Sequence, residues 1–307
     1  MKRMKLLSRA ILVVLAAIGL FGLFGCDLEE FIQATAGNVE AVREVTETFA
    51  LTGLLDLQVE SSNGYVIVES AQTTSVSVVA KLRSRGDTLE EAEERVDAIQ
   101  VELTQSGNNV ALRYRAADQT EDVRRHSGVS FVVTVPMQAD VEVDTSNGSI
   151  TIRGVEGEFT LDTSNGTIDL SDLIGIVHAD TSNSRINVNG FSGVLDLETS
   201  NSAIDIEDVE AAIDARTSNG RIDFSGILVG DDNDLRTSNG AIKVKVAADT
   251  SITFDASTSS GSISTNLQLM GDTEGRSWHA AMNSHGAQSA QTLELRTSNG
   301  SIRIEGF

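Results

Sequence analysis

From Val141 to Ile304 the apolar residues fall into fixed columns around a repeated phrase, Thr-Ser-Asn-Gly. Its threonines are Thr145, Thr163, Thr181, Thr199, Thr217, Thr237, Thr258 and Thr297, with Ser184 and Ser202 replacing Gly and Ser260 replacing Asn. The first four intervals are 18 residues, the next two are 20 and 21, and the last is 39. Five residues after every anchor stands an isoleucine: Ile150, Ile168, Ile186, Ile204, Ile222, Ile242, Ile263 and Ile302. Two residues before it come Val143, Leu161, Ala179, Leu197, Ala215, Leu235, Ala256 and Leu295; seven after it the column is apolar except at Thr265. Ten after it, the first five repeats carry Val155, Leu173, Phe191, Val209 and Ile227. Each repeat is thus two or three short strands with one face inward, separated by a turn. A period of this length predicts an all-β chain wound as a parallel β-solenoid (β-helix) of about 18 residues per coil.

The turn residues agree with stacking. Glycine permits positive φ and asparagine tolerates a bend. If coils stack at the strand spacing of about 4.8 Å, Asn147, Asn165, Asn183, Asn201, Asn219, Asn239 and Asn299 form a hydrogen-bonded ladder. The repeated phrase is therefore read as structural rather than catalytic.

The N-terminal half is irregular. Leu57, Val59, Val66 and Val68 surround Ser61-Ser62-Asn63-Gly64 at the offsets of the repeats, which marks an early degenerate coil. Ser75 to Leu82 alternates as a strand. A capping box at Thr88 and Glu91 opens one short helix with Leu89, Ala92, Val96 and Ile99 on one face. Val101–Leu103 and Val110–Tyr114 flank a hairpin turn at Ser106–Asn109, Thr120–Ser127 reads as an exposed loop, and Val129–Val135 is a strand ending at Pro136. This half is expected to cap the first coil; a separate small domain is the alternative, at odds with the register of the Ser61 coil. Near the other end, residues 266–292 interrupt the rhythm as a lateral loop or an extra irregular coil, carrying Trp278, His279 and His285, and the eighth coil follows the seventh.

At the start, Lys2, Arg3, Lys5 and Arg9 precede an apolar run from Ala10 to Phe24 and then Gly25-Cys26. This is the layout of a secretory signal, and the run is short of the roughly 20 residues of a membrane span. The chain's single cysteine cannot form an internal disulfide. Its position resembles the lipobox of bacterial lipoproteins, which implies that Cys26 carries the lipid. Asp27 then favours retention at the inner membrane, by resemblance to enteric sorting rules, with the outer membrane or cell surface as the alternative. The expected division is 1–25 signal peptide, 26–43 anchor and tether (or short helix), 44–140 irregular coils with helix and hairpin, and 141–307 regular coils. The net charge of −22 becomes more negative once the four basic leader residues are gone, which argues against nucleic acid as a partner. A membrane, through the lipid, and an envelope protein, a glycan or a second copy remain as partners.

The strand ending at Val135-Pro136, then Val143-Asp144-Thr145-Ser146-Asn147-Gly148-Ser149-Ile150, then iterated Leu-x-Thr-Ser-Asn-Gly-x-Ile coils resemble the bacterial DUF4097 family of adhesin-like envelope proteins. The resemblance spans Glu44 to Ile304. It implies a right-handed solenoid, no established catalytic residues and no cofactor.

Some β-helices hydrolyse or cleave polysaccharides with paired carboxylates, and Gly230-Asp231-Asp232 with Ser284-His285-Gly286 superficially resembles such motifs, but at more than two coil lengths apart. No G-x-S-x-G elbow occurs, and His279 and His285 are poorly spaced for a metal. One residue before the anchors stand Asp144, Asp162, Asp180 and Glu198, then Arg216 and Arg236; two columns outward stand Glu142, Asp196, Asp214, Asp234, Asp255 and Glu294. The four carboxylates are a candidate stripe for a divalent cation. The reading is a non-catalytic, lipid-anchored structural, adhesive or partner-binding module; the alternatives are a carbohydrate-active enzyme and an envelope-stress signalling accessory.

Overall fold

The computed structural model describes residues 39–115, 118–282 and 291–307; Cys26, Asp27 and His285 lie outside them. Among these residues are 22 strands and two helices. The regular coils comprise β8 (Ala139–Thr145), β9 (Ile150–Arg153), β10 (Glu156–Thr163), β11 (Ile168–Thr181), β12 (Ile186–Thr199), β13 (Ile204–Thr217), β14 (Ile222–Leu228), β15 (Asp232–Thr237) and β16 (Ile242–Val246). They stack in parallel with repeat positions in register: Thr145 beside Thr163, Thr163 beside Thr181, and Ile168 beside Ile186 and Ile150. Every isoleucine of the leading column is fully buried except Ile263, at 8 % exposure. Each such side chain contributes roughly 1.5–3 kcal/mol by leaving water.

The anchoring threonines explain why the phrase repeats. Each is buried, and from Thr163 onward each hydroxyl donates to a carbonyl of the neighbouring coil's turn at 2.9–3.2 Å. In the glycine-bearing turns it also accepts the N–H three residues on, at 3.0–3.3 Å. One hydroxyl thus closes its own turn and ties it to the next coil. The asparagine ladder forms as expected, each Nδ2 donating to the Oδ1 of the Asn below at 2.7–2.9 Å, and its foot is Asn63.

Glycine in these turns serves a different purpose from the one expected. Only Gly64 among them has a positive φ. The others are small because a neighbouring coil passes close: a Cβ on Gly166 would stand 1.6 Å from the Gly148 carbonyl oxygen, and one on Gly300 1.7 Å from that of Gly240.

Chain order and spatial order part company at both ends. The early coil, β2 (Leu55–Ser61) and β3 (Val66–Ala71), pairs on one side with β8 and β9. On its other side lie β6 (Asn109–Arg113) and β7 (Ser127–Pro136), which come later in the chain. The last coil, β21 (Gln291–Thr297) and β22 (Ile302–Gly306), does not follow the seventh in space. It inserts between β15/β16 and the seventh coil, β17 (Ile252–Thr258) and β18 (Ile263–Thr265).

Antiparallel strands then cover the ends. β4 (Ser75–Gly86) runs against β7 and carries β1 (Val39–Ala50) on its other edge; residues 39–43 are therefore strand, not helix or tether. β5 (Glu102–Ser106) forms the expected hairpin with β6. Helix α1 (Leu89–Ala98) begins at Thr88, whose Oγ1 accepts the Glu91 N–H at 3.2 Å, and it buries Ala92 and Val96 against β1 and β4. The stretch expected as a loop holds a second short helix, α2 (Glu121–His126), capped by Thr120 and held to α1 by Arg95 and Asp122 at 2.6 Å. At the far end residues 266–282 of the insertion form antiparallel strands, not a lateral loop or a coil. β20 (Ser277–Met282) pairs antiparallel with β17 and β19 (Met270–Asp272) with β20, so that Trp278, Ala280 and Met282 are buried. No helix among the described residues is long and apolar enough to cross a membrane.

Two core positions differ from the repeat pattern. Between β13 and β14 the register slips after Glu207, so Val209 pairs with Gly226; Ile227, expected inside, is 46 % exposed and Leu228 is buried instead. In the 20-residue coil, Asn233 occupies the column held elsewhere by Val141, Phe159, Val177, Leu195, Ile213, Phe254 and Leu293. Its Oδ1 accepts from the Ile213 N–H at 2.9 Å and its Nδ2 donates to the carbonyls of Val229 and Thr292 at 3.4 Å. The longer turn strips backbone groups of strand partners, and a buried amide replaces them.

Two substitutions test these bonds by urea unfolding of the folded chain. Thr163→Val keeps the shape and removes a hydroxyl bonded on both sides, and Asn233→Leu orphans three backbone groups; each is expected to cost about 1–3 kcal/mol. Ser164→Ala, at an exposed turn position, should change stability by less than about 0.5 kcal/mol.

Candidate functional site

The outward positions of β8, β10 and β15, of the second halves of β11, β12 and β13, and of β21 form one continuous face, because parallel in-register strands line up equivalent side chains. In one file Glu60, Asp144, Asp162, Asp180 and Glu198 succeed one another, followed by Arg216, Arg236 and Arg296. Beside it runs a second file: Glu142, Thr160, His178, Asp196, Asp214, Asp234, Glu294 and, on β17, Asp255. The two files divide the face into electrostatically unlike halves.

In the later half the files neutralise each other. Arg236 lies 2.6 Å from Asp234 and 3.0 Å from Glu294, Arg216 contacts Asp214 and reaches Asp234 at 3.8 Å, and Arg296 contacts Glu294. Arg216 and Arg236 thus bridge acids of their own and adjacent coils, while Arg296 pairs within its own. Burial still pushes the Asp214 carboxyl up, against the opposing pull of Arg216.

In the earlier half no such arginine intervenes. Partial burial, reinforced by Asp144, raises the Asp162 carboxyl above its ordinary value, and burial with Glu198, Asp162 and Asp196 does the same to Asp180. His178 is the one potential cation in the stretch of the second file from Glu142 to Asp196, its Nδ1 3.2 Å from an Asp196 oxygen. At the foot of the first file Glu60 is in the opposite state: Arg115 hydrogen-bonds it at 2.6 and 2.7 Å and holds its carboxyl low.

Asp144, Asp162, Asp180 and Glu198 follow one another along the file, one to a coil. Among the described residues no group of three or more His, Cys, Asp or Glu is placed to hold a metal ion. The reason lies in the stacking itself: neighbouring carboxylates project side by side at about the 4.8 Å strand spacing, whereas a hard cation needs six or more oxygens converging at about 2.3–2.6 Å. Asp231 stands on an exposed bend after Gly230, and Asp232, also exposed, opens β15. His279 is exposed on β20 opposite Asp255. The split of the face was partly legible in the sequence columns. Arg296 escaped that reading because its coil had been stacked beyond the seventh.

The raised carboxyls give a signed pH dependence. An acid whose folded pKa is raised binds its proton more tightly when folded, so stability is gained as pH falls through that pKa and the gain is complete below the ordinary value of 3.8. Glu60 and Asp122, both lowered by arginine, contribute above their ordinary values of 4.5 and 3.8 and lose that contribution as pH falls further. The thermal midpoint should therefore rise on acidification from neutral pH toward pH 4 and fall below it. Asp180→Asn should raise the neutral-pH midpoint by about 1–3 °C and flatten the rise, measured by calorimetry across pH.

No curated protein matches the chain. A structure from Bacteroides fragilis named a "putative adhesin" is 10 % identical, aligning over 86 % of this chain and 97 % of its own, with a TM-score of 0.34. A "putative lipid binding protein" from Parabacteroides distasonis is 12 % identical over 86 % and 96 %, also at 0.34. A "putative cell adhesion protein" from Clostridium sporogenes is 11 % identical over 87 % and 100 %, at 0.24. At these values the likenesses carry no functional argument. The family model described as Toastrack DUF4097 matches residues 54–305, and the chain belongs to that family.

Proposed function

We propose that the protein is a non-catalytic binding module, held outside the cytoplasm by a lipid on Cys26, whose stacked outer faces engage a partner of the cell envelope. The observation that carries this reading is the charged face. Its side chains stand in parallel files, one half acidic and one half internally paired, with nothing converging on a reacting atom. Catalysis by acid and base needs two groups aimed at one point, and a flat ladder offers recognition over an area instead. Coils of about 18 residues wound right-handedly belong to the same reading, the hand following from the general rule for parallel crossover connections. The basic leader, apolar run and Gly25-Cys26 support the anchor.

Affinity capture from intact envelopes tests the reading. The full chain should fractionate with membranes and retain specific proteins or glycans, while Cys26→Ala should move most of it to the soluble fraction. Membrane fractionation unchanged by Cys26→Ala removes the anchor, and capture indistinguishable from an unrelated acidic protein removes the binding module.

A further inference from the structure

The slip in register between β13 and β14 has opened a groove at a corner of the solenoid. In the preceding coils this corner is turned by residues in the left-handed region: Gly154 at φ 68°, Asp172 at 55°, Gly190 at 68° and Asp208 at 57°. Their neighbours Leu173, Phe191 and Val209 point inward. The next coil lacks that residue, and Ile227 turns outward. The groove lies across these coils, with Ile174, Ile227 and Phe307 among its lining side chains, at 54, 46 and 63 % exposure. Large apolar side chains grouped in one exposed concavity mark a contact surface more often than chance.

The polar lining is of one sign. Asp172, Asp208 and Glu210 line the groove and no lysine or arginine does. Asp172 and Asp208 hold their places at a steric cost, since the left-handed region crowds the Cβ of any residue but glycine, Asp less than most. Gly190 between them leaves room: Oδ1 of Asp172 lies 2.8 Å from where a Cβ on Gly190 would stand. A carboxylate therefore leans along the groove wall.

This combination selects the occupant. A second copy would bring its own acidic rim against this one, and an anionic lipid surface would be repelled too. The segment between Cys26 and Val39 carries Asp27, Glu29 and Glu30 and no lysine or arginine, so it is mismatched as well. We infer that the groove receives a cationic amphipathic peptide segment of a partner protein, its apolar side chains against Ile174, Ile227 and Phe307 and its Lys or Arg side chains against Asp172, Asp208 and Glu210. The inference rests on the binding-module reading and names the chemistry of the partner.

The probe is a synthetic amphipathic Leu/Lys peptide titrated against the folded mature chain by fluorescence anisotropy, beside a Ser/Lys peptide of equal charge and a Leu/Glu peptide. The Leu/Lys peptide should bind at least about tenfold more tightly than either, as expected when apolar burial and charge both contribute. Ile174→Ser with Ile227→Ser should weaken it about tenfold or more, and Asp172→Asn with Asp208→Asn should weaken it and reduce its salt dependence. Because all four side chains are at the surface, melting curves should stay close to the parent's; Asp172→Gly with Asp208→Gly, which relieves the backbone, supplies a second charge-removed form. Equal binding of the Leu/Lys and Ser/Lys peptides, or binding unmoved by the groove variants, overturns the inference, since either would reflect the general acidity of the chain. So does a dimer in sedimentation that the isoleucine variants dissociate. If envelope capture persists unchanged in the isoleucine variants, the groove is wrong while the module stands; if capture fails for the parent chain, the module itself is wrong.

Discussion

Stacking at a single spacing is the constraint from which this molecule follows. Successive coils must place backbone groups opposite one another at about 4.8 Å, so whatever one coil does at a position its neighbour must match. The buried threonine satisfies this demand at the tightest point. Its hydroxyl completes its own turn and donates to the turn below, a double duty that valine cannot perform; at the foot Ser61 makes the donating half of it, to the Val129 carbonyl at 3.1 Å. The glycine follows from the same closeness, since the neighbouring carbonyl occupies the space of its Cβ.

A stack has two ends, and each is a liability. An exposed coil would present unpaired N–H and C=O groups and an open apolar core. The chain's solution is the same at both ends. The first coil is flanked on its outer side by later strands β6 and β7, and the last coil lies inside the seventh. Both are interior members of the stack, and of the strands outside them β6, β7 and β17 are covered by antiparallel partners. Unravelling from either end must first detach a cap and a coil from elsewhere in the sequence, which makes the ends depend on long-range pairing.

What the sequence made legible is the part fixed by local repetition. Column identity revealed the strands, the turns, the ladder from Asn147 to Asn299 and the early coil at Ser61, because each depends on residues one coil apart. The interleaved order at the ends was hidden: Thr297 has the same phrase whether it stacks on Thr258 alone or between Thr237 and Thr258. Ile227 was misplaced for a related reason. Counting from the anchor assumes equal coil lengths, and one residue lost at a corner turns an apolar side chain outward without changing its place in the count. Asn233 shows the reverse case, where a polar residue in a core column signalled a longer turn whose backbone needed partners. The uncompensated half of the charged face was visible as a column, but which of its carboxylates are partly buried depended on the packing of neighbouring coils, which spacing does not specify.

The same stacking that secures the core works against the surface. A residue type repeated in an outward column meets its own charge one strand away, and within the run of acids from Asp144 to Glu198 the middle two, Asp162 and Asp180, are held where partial burial and repulsion both act on them. The later coils show that the fold has a remedy available, since arginine in one file and acid in the next neutralise each other across coils. Compensated and uncompensated halves share one backbone geometry and one pattern of inward residues. The difference lies only in outward side chains that do not touch the core, so core packing does not require the acidic half. A surface that costs stability without structural need is the kind of feature retained for interaction, and under the proposed binding role recognition belongs to the outward columns, not to the phrase that builds the stack.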